Sequence, residues 1–428
     1  MNVRDMILRA QTDGTLVDVD RPTRPDLEMA RAILQYDGQP ILFPQVEGYP
    51  GWSVVAGIAS DRAYFARALG VQVKDLIHTL AIALDNTVAP SVVSNAPCQE
   101  VVEPAVNLFH LPILRHFSSD GGAYVTAAIL ILDDPDHGPN VSFHRLLRLD
   151  ERRFVARVVE NRGTDTALQK ATGDVPVAIC IGNSIPVLLA GSMSSPPDVD
   201  ELAVANALSH TPVVQCKTNA LYVPAESEIV LEGRLTQATA PEGPFVDLTE
   251  TMDFVRQQPV IEIDCITHRR DPIYQALLPG KLEHRLLMGM PKEPTIFAAV
   301  RKVCRCTNVV VTPGGASWLH AVVQIDQQTP GDARRAIEAA FQGHGSLKHV
   351  VVVDTDIDPY NMAEVEWAIA TRFQAGTDLI IQTDQPGSSL DPSGTHAPGQ
   401  KSRTAKMGID ATIPWGAERE DFAKVPYR

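Results

Sequence analysis

Between about residues 110 and 300 the chain carries four short runs rich in β-branched and aliphatic residues, at 127–132, 175–181, 229–231 and 260–263. Gly, Pro and Asp turns bound each run before it can extend into a helix. One helical pattern interrupts the series at 199–208, just after the turn Ser195-Pro196-Pro197-Asp198. No single short strand can bury a face alone. The pattern therefore predicts a barrel-like β-domain with one helical insert.

The flanks have a different texture. Residues 1–109 show helical spacing at 26–34, 61–69 and 73–84, with a short buried strand at 41–43. Asp61 stands where an N-cap is expected, and the region is predicted to form an α/β cap. Residues 301–428 alternate strands at 309–311, 321–325 and 350–353 with helices at 331–342 and 363–371, which predicts an α/β domain. Residues 383–402 are rich in Pro, Gly, Ser and Asp and are expected to be a mobile loop, with regular pattern returning at 405–412. The fold class is a multidomain mixture of α+β and α/β parts.

A net charge of −15 argues against a nucleic-acid partner, because a phosphate backbone needs a basic face. Any anionic ligand must instead meet a local group of donors. No apolar run reaches the roughly 18–20 residues that span a bilayer. The start Met1-Asn2-Val3-Arg4-Asp5 lacks a signal-peptide pattern, so a cytoplasmic protein without a membrane partner is expected. Six cysteines are too scattered for a disulfide framework. Cys304-Arg305-Cys306 lacks a second ligand pair for zinc and is expected to be two thiols at a strand edge.

Chemistry concentrates in two segments. Pro241-Glu242-Gly243-Pro244-Phe245-Val246-Asp247 sets two carboxylates five residues apart around a Gly-Pro turn. Upstream, Asn140-Val141-Ser142-Phe143-His144-Arg145 is strand-like and ends in an arginine that can bridge both acids. An Arg between two carboxylates holds one ionised and leaves the other poised to carry a proton.

Further motifs follow in order. They include Gly122-Ala123-Tyr124-Val125-Thr126, Gly191-Ser192-Met193 with Asp200-Glu201, and Lys406-Met407-Gly408-Ile409-Asp410-Ala411-Thr412. With the two acid and arginine segments, the set resembles the UbiD-like decarboxylases, which use prenylated FMN. That resemblance implies a central split β-barrel over 110–300 that binds flavin, an N-terminal cap over 1–109, and a C-terminal oligomerisation domain over 301–428 whose tail returns to the active site. It implies a homodimer or dimer-based higher oligomer, and a flavin prenyltransferase as cofactor supplier.

By the same resemblance Arg145, Glu242 and Asp247 are the catalytic network. Asp247 is the proton donor and Glu242 orients Arg145. Thr126, Phe143, His144, Arg145, Met193 and Lys406 lie near the flavin or its phosphate. Asn140 and Glu201 match two ligands of a divalent metal (Mn2+ or Mg2+), with K+ as an accompanying ion. The third ligand of the family, a histidine, falls on Gly163, and Asn161 or Glu160 stand as alternative oxygen donors. His284 and Arg285 are placed to meet a second carboxylate of the substrate, since Arg offers a bidentate fork.

The implied reaction is non-oxidative, reversible decarboxylation of an aromatic, heteroaromatic or α,β-unsaturated acid. Loss of CO2 from an sp2 carbon needs an electron sink that no side chain supplies, and a modified flavin does. Two competing readings stand beside it. One is a UbiD-like protein with a degenerate cofactor site, acting as a non-catalytic subunit or without flavin. The other is an FMN oxidoreductase, whose hydride chemistry does not require the Arg–Glu–Asp set.

Overall fold

The structure is a computed structural model and describes residues 1–193, 195–397 and 400–425. The chain divides into two compact units, Met1–Leu287 and Met288–Arg428. Among the described residues no helix is long and apolar enough to cross a membrane.

The first unit is organised by a nine-stranded sheet. Its path runs Tyr124–Val125, Leu146–Arg148, Arg153–Ala156, Arg256–His268, Ile229–Glu242, Val175–Ile181, Ile129–Asp134 and Gly138–Phe143, with Val101–Val102 pairing on Arg256–His268. The path is open: its first and last strands do not pair with each other among the described residues, so the expected split barrel is not seen as a closed one.

Two strands are far longer than their sequence runs suggest. Ile229–Glu242 and Arg256–His268 form one antiparallel hairpin that continues well past the apolar runs at 229–231 and 260–263. Their polar outer halves lack a hydrophobic pattern, and cross-strand pairing rather than burial sustains them. The pairing shifts register at Gly233. A Cβ there would stand 2.0 Å from the Glu262 carbonyl oxygen, so only glycine permits the close approach.

One face of this sheet packs Ile179, Ile181, Ile229, Leu231, Ile261 and Ile263 into the main core. The apolar helix Ile185–Ser192 is buried along its whole length, and lacking a polar face it shows no amphipathic spacing in the sequence. The N-terminal segment joins the same unit through a second sheet, where Ile273–Gln275 pairs in parallel with Ser53–Ala56. Asp61 caps the helix Arg62–Leu69, accepting from the Ala63 N–H at 2.7 Å, as expected. The helix expected over 26–34 is Glu28–Gln35, and its N-cap is Leu27 in a left-handed conformation rather than an acid.

The second unit carries a five-stranded sheet in the order Cys306–Val311, His320–Ile325, His349–Asp354, Arg403–Asp410, Leu379–Pro386. Its inner strands are parallel and its edges antiparallel. Helix Met362–Arg372 packs Val365 and Ala368 against Val351, Val353 and Val322. On the opposite face Ile337 of helix Asp332–Gly343 sits over Gly408. Most of the segment expected to be a mobile loop is held in place. Buried Asp391 accepts from Lys348 and Thr404 at 3.1 and 3.0 Å. Residues 398 and 399 of that segment lie outside the described residues.

Candidate active site

The long hairpin builds the site. Glu242 is the last residue of one strand and pairs in register with Arg256, the first of the other. The excursion between them, residues 243–255, folds into a two-residue ribbon with Phe245 opposite Asp253 and Val246 opposite Met252. Asp247 sits at its turn. Arg145 lies on the link between strands Gly138–Phe143 and Leu146–Arg148, which stand toward opposite ends of the sheet's path.

The Arg145 guanidinium is shared by three carboxylates. Nε and Nη2 donate to the two Glu242 oxygens at 2.9 and 3.0 Å. Nη1 donates to Asp247 Oδ2 at 2.7 Å, and Nη2 also donates to Asp253 Oδ2 at 2.7 Å. The group lies 4.4 Å over the Phe245 ring, which adds a cation–π contact. Tyr124 supports Glu242, its hydroxyl donating to Oε1 at 3.3 Å and accepting from the Gly243 N–H at 3.1 Å. Burial opposes the charge on Arg145, but the bonds from Glu242 and the neighbouring acids outweigh it and raise its pKa.

The acids are not equivalent. Glu242 is fully buried and bidentate. Asp253 is held by two arginines, since Arg256 donates to both of its oxygens at 2.7 Å. Burial pushes the Asp253 carboxyl up, yet the bonds from Arg256 and Arg145 win and lower it to about 2. Asp247 makes one bond to the guanidinium, accepts the Leu248 N–H at 2.6 Å, and is the most exposed of the three at 19%. Three carboxylates share two guanidinium groups, and Asp247 is the least compensated.

His284 lies near this group. Its Nδ1 accepts the Gly280 N–H at 3.0 Å, which leaves Nε2 as the protonated nitrogen of a neutral ring. Burial pushes its pKa down to about 4, against the opposing charge of Asp247. Arg285 and Lys281 both bond Glu250 Oε1, at 2.6 and 2.9 Å. Glu283, next to His284, is buried and accepts the Gly57 and Ala59 N–H groups at 2.8 and 3.0 Å. Burial raises its pKa to about 7.

The other expected site residues take distinct places. Thr126 Oγ1 is committed to the Leu277 backbone, donating to its oxygen at 2.7 Å. Phe143 is half-buried and Met193 is buried. His144 is buried, with Nδ1 2.8 Å from the Arg157 carbonyl and Nε2 2.9 Å from Thr164 Oγ1 and 3.1 Å from Ser142 Oγ. Lys406, in the second unit, is buried with its ammonium 2.8 Å from the Gly345 carbonyl and over the Phe341 ring. Burial lowers its pKa to about 8.

The divalent-metal expectation meets a different arrangement. Asn140 Nδ2 donates to Ser142 Oγ at 3.3 Å, and Glu201 Oε2 accepts the Val141 N–H at 3.0 Å. Glu160 and Asn161 are exposed, and the Asn161 N–H donates to Asp165 at 2.7 Å. Among the described residues no group of three His, Cys, Asp or Glu is placed to hold a metal ion. The donor set around Gly163 does not fit a three-ligand divalent site. Its hydroxyls and carboxamide suit an anion such as a cofactor phosphate.

Asp253, Phe245 and Tyr124 escaped sequence reasoning as members of the site. Phe245 lay inside the quoted Gly-Pro segment and Tyr124 inside a quoted motif. For Asp253 the usable signal was Arg256 three residues on.

This fold and this constellation define a class. The N-terminal, Rift-related and C-terminal domain models of 3-octaprenyl-4-hydroxybenzoate carboxy-lyase match residues 7–84, 91–282 and 285–411. The chain belongs to the UbiD family and is a carboxy-lyase of the decarboxylase type. It is 42% identical over 431 residues to anhydromevalonate phosphate decarboxylase of Methanosarcina mazei, covering 99% of each chain. Among solved structures it is similar to the UbiD-class enzyme HmfF from Pelotomaculum thermopropionicum in complex with FMN. There the identity is 38%, coverage is 100% of this chain and 97% of that one, and the TM-score is 0.95. An evolved dimeric form of HmfF in complex with prFMN gives 37% identity, 99% and 97% coverage and a TM-score of 0.90.

Proposed function

We propose that this chain is a non-oxidative, reversible decarboxylase of an α,β-unsaturated, aromatic or heteroaromatic acid, working with prenylated FMN. The observation that carries the reading is one arginine, its side chain 10% exposed, shared by three carboxylates, of which Asp247 makes the fewest bonds to a guanidinium. When bound, the modified flavin supplies the electron sink that loss of CO2 requires. Residues expected to hold it are Phe143, Met193 and the Ser142–Thr164 hydroxyl pair.

The chain's own residues supply charge and protons. Arg145 meets the departing carboxylate, and Glu242 fixes its plane through two parallel bonds. Asp247, the most exposed of the three acids and held by a single guanidinium bond and the Leu248 N–H, carries the proton to the carbon that loses CO2. Arg256 matches Asp253, which leaves Asp247 with the smallest share of positive charge. His284 offers an Nε2–H donor beside Asp247. Lys281 and Arg285 carry one positive charge beyond Glu250, which suits a second anionic group on the substrate.

The Methanosarcina mazei relative is named for a phosphorylated acid, so a short unsaturated acid bearing phosphate is the first substrate to test, and aryl and furan acids follow. The protein is co-expressed with a flavin prenyltransferase, and CO2 release and H/D exchange at the reacting carbon are measured. Product formation that disappears in Asp247→Asn supports the reading. Flavin-loaded protein with no exchange on any of these acids counts against it. The second reading, a UbiD-like subunit without a catalytic role, rests on Gly163. It is favoured if flavin-loaded protein acts only after a partner subunit is added. A homodimer or a dimer-based assembly is proposed for the holoenzyme, to be checked by light scattering.

A further inference from the structure

We infer that this chain holds the phosphate of its flavin without a divalent ion, through the uncharged donors of Ser142, Thr164 and Asn140. The inference rests on the flavin reading above. The place where a third ligand would enter is filled. A Cβ on Gly163 would stand 2.0 Å from Asn140 Oδ1 and 2.9 Å from its Cγ. The Asn140 carboxamide therefore occupies the space a histidine stem would need, and a side chain at 163 must displace a residue counted as a ligand. Hard divalent ions take six or more oxygen ligands, and here the protein set has shrunk to Asn140 and Glu201, the second of which is engaged elsewhere.

Glu201 is one of those members. Gly138–Phe143 ends the sheet, so its outward N–H groups need acceptors from outside. The Val141 N–H finds one in Glu201 Oε2 at 3.0 Å. The carboxylate closes a strand edge at that position.

His144 does not substitute for the missing ligand. Its Nδ1 faces a carbonyl and must donate, so Nε2 is the acceptor. Two hydroxyls compete for that one lone pair, Thr164 at 2.9 Å and Ser142 at 3.1 Å. Only one can donate to it. The other has only its neighbouring hydroxyl to donate to, at 3.3 Å, and the Asn140 Nδ2–H groups touch these hydroxyls only at 3.3 and 3.5 Å. A partly buried cluster whose donors are held only by long bonds to one another matches a ligand that only accepts, and phosphate is such a ligand.

The test uses full-length protein and FMN. Mn2+ binding to flavin-free protein is followed by electron paramagnetic resonance, and metal in dialysed FMN-loaded protein by mass spectrometry. FMN affinity is read from flavin fluorescence with chelator, and with Mn2+. The expected result is far less than one metal per chain and the same FMN affinity in both conditions. Ser142→Ala combined with Thr164→Val is expected to lower FMN affinity about tenfold or more, the effect of losing a hydrogen bond to a charged group. Gly163→His is expected to gain no metal. One equivalent of retained Mn2+ or Mg2+, with flavin released by chelator, overturns the inference, and so does unchanged FMN affinity in the hydroxyl variant. Failure of wild-type protein to bind FMN under any condition overturns the flavin reading as well, whereas flavin bound together with metal overturns this inference alone.

Discussion

Asp253→Asn separates the charge balance of the site from its chemistry. Asp253 touches two guanidinium groups through three bonds of 2.7 Å, and its side chain is 12% exposed. Its carboxyl falls from the ordinary 3.8 to about 2, which corresponds to about 2 kcal/mol of stabilisation at neutral pH. A depressed acid contributes its full amount above the unfolded value and loses it as pH falls through the folded one. The contribution of Asp253 should therefore be constant from pH 8 to 5, shrink below pH 4, and vanish below pH 2. Asparagine keeps one acceptor but not the charge, so the variant should lose about 1–2 kcal/mol at pH 7. Equilibrium urea unfolding of both proteins across this range measures the gap. A gap that stays the same at pH 3.5 and pH 7, or that is absent at pH 7, refutes the reasoning.

Three further outcomes are expected. Asp247→Asn should reduce decarboxylation by roughly 10²–10⁴-fold, the range for a lost general acid, with an unchanged circular dichroism spectrum. Arg145→Lys should also abolish most turnover, because an ammonium cannot hold the two Glu242 oxygens in one plane while meeting Asp247 and Asp253; steady-state kinetics with substrate and H/D exchange check it. Gly233→Ala should lower the thermal midpoint markedly, since its methyl would press on the Glu262 backbone, and a differential scan that shows no shift would contradict the packing.

Glu242, Asp247 and Arg145 were legible in the sequence because their motifs are local and ordered. Asp253 was not. It lies in a polar stretch that resembles a loop, and its partner Arg145 is 108 residues away. The long hairpin was hidden for the same reason, since its outer half has no apolar alternation to read. The buried helix Ile185–Ser192 gave no periodic signal, because every position is covered. The missing histidine at 163 was visible as an absence. That Asn140 had taken up its space was not, because the chain carries no record of which neighbour fills a vacated volume. In the second unit the strand and helix alternation was legible. The order of a Pro- and Gly-rich segment around Asp391 was not, because it depends on Lys348, a contact made only after folding.

The register pair Glu242 and Arg256 ties the two ends of residues 243–255 together at the tip of a long hairpin. Every acid of the site lies on that tip or at its base, so their spacing is set within a short closed segment. Insertions elsewhere in the first unit leave that spacing alone. A slip of one residue in the hairpin would turn Glu242 to the opposite face of the sheet and remove the support of Arg145 in one step. Variation in such an enzyme is therefore expected to accumulate outside the tip, with the three acids around Arg145 inherited as a single cassette.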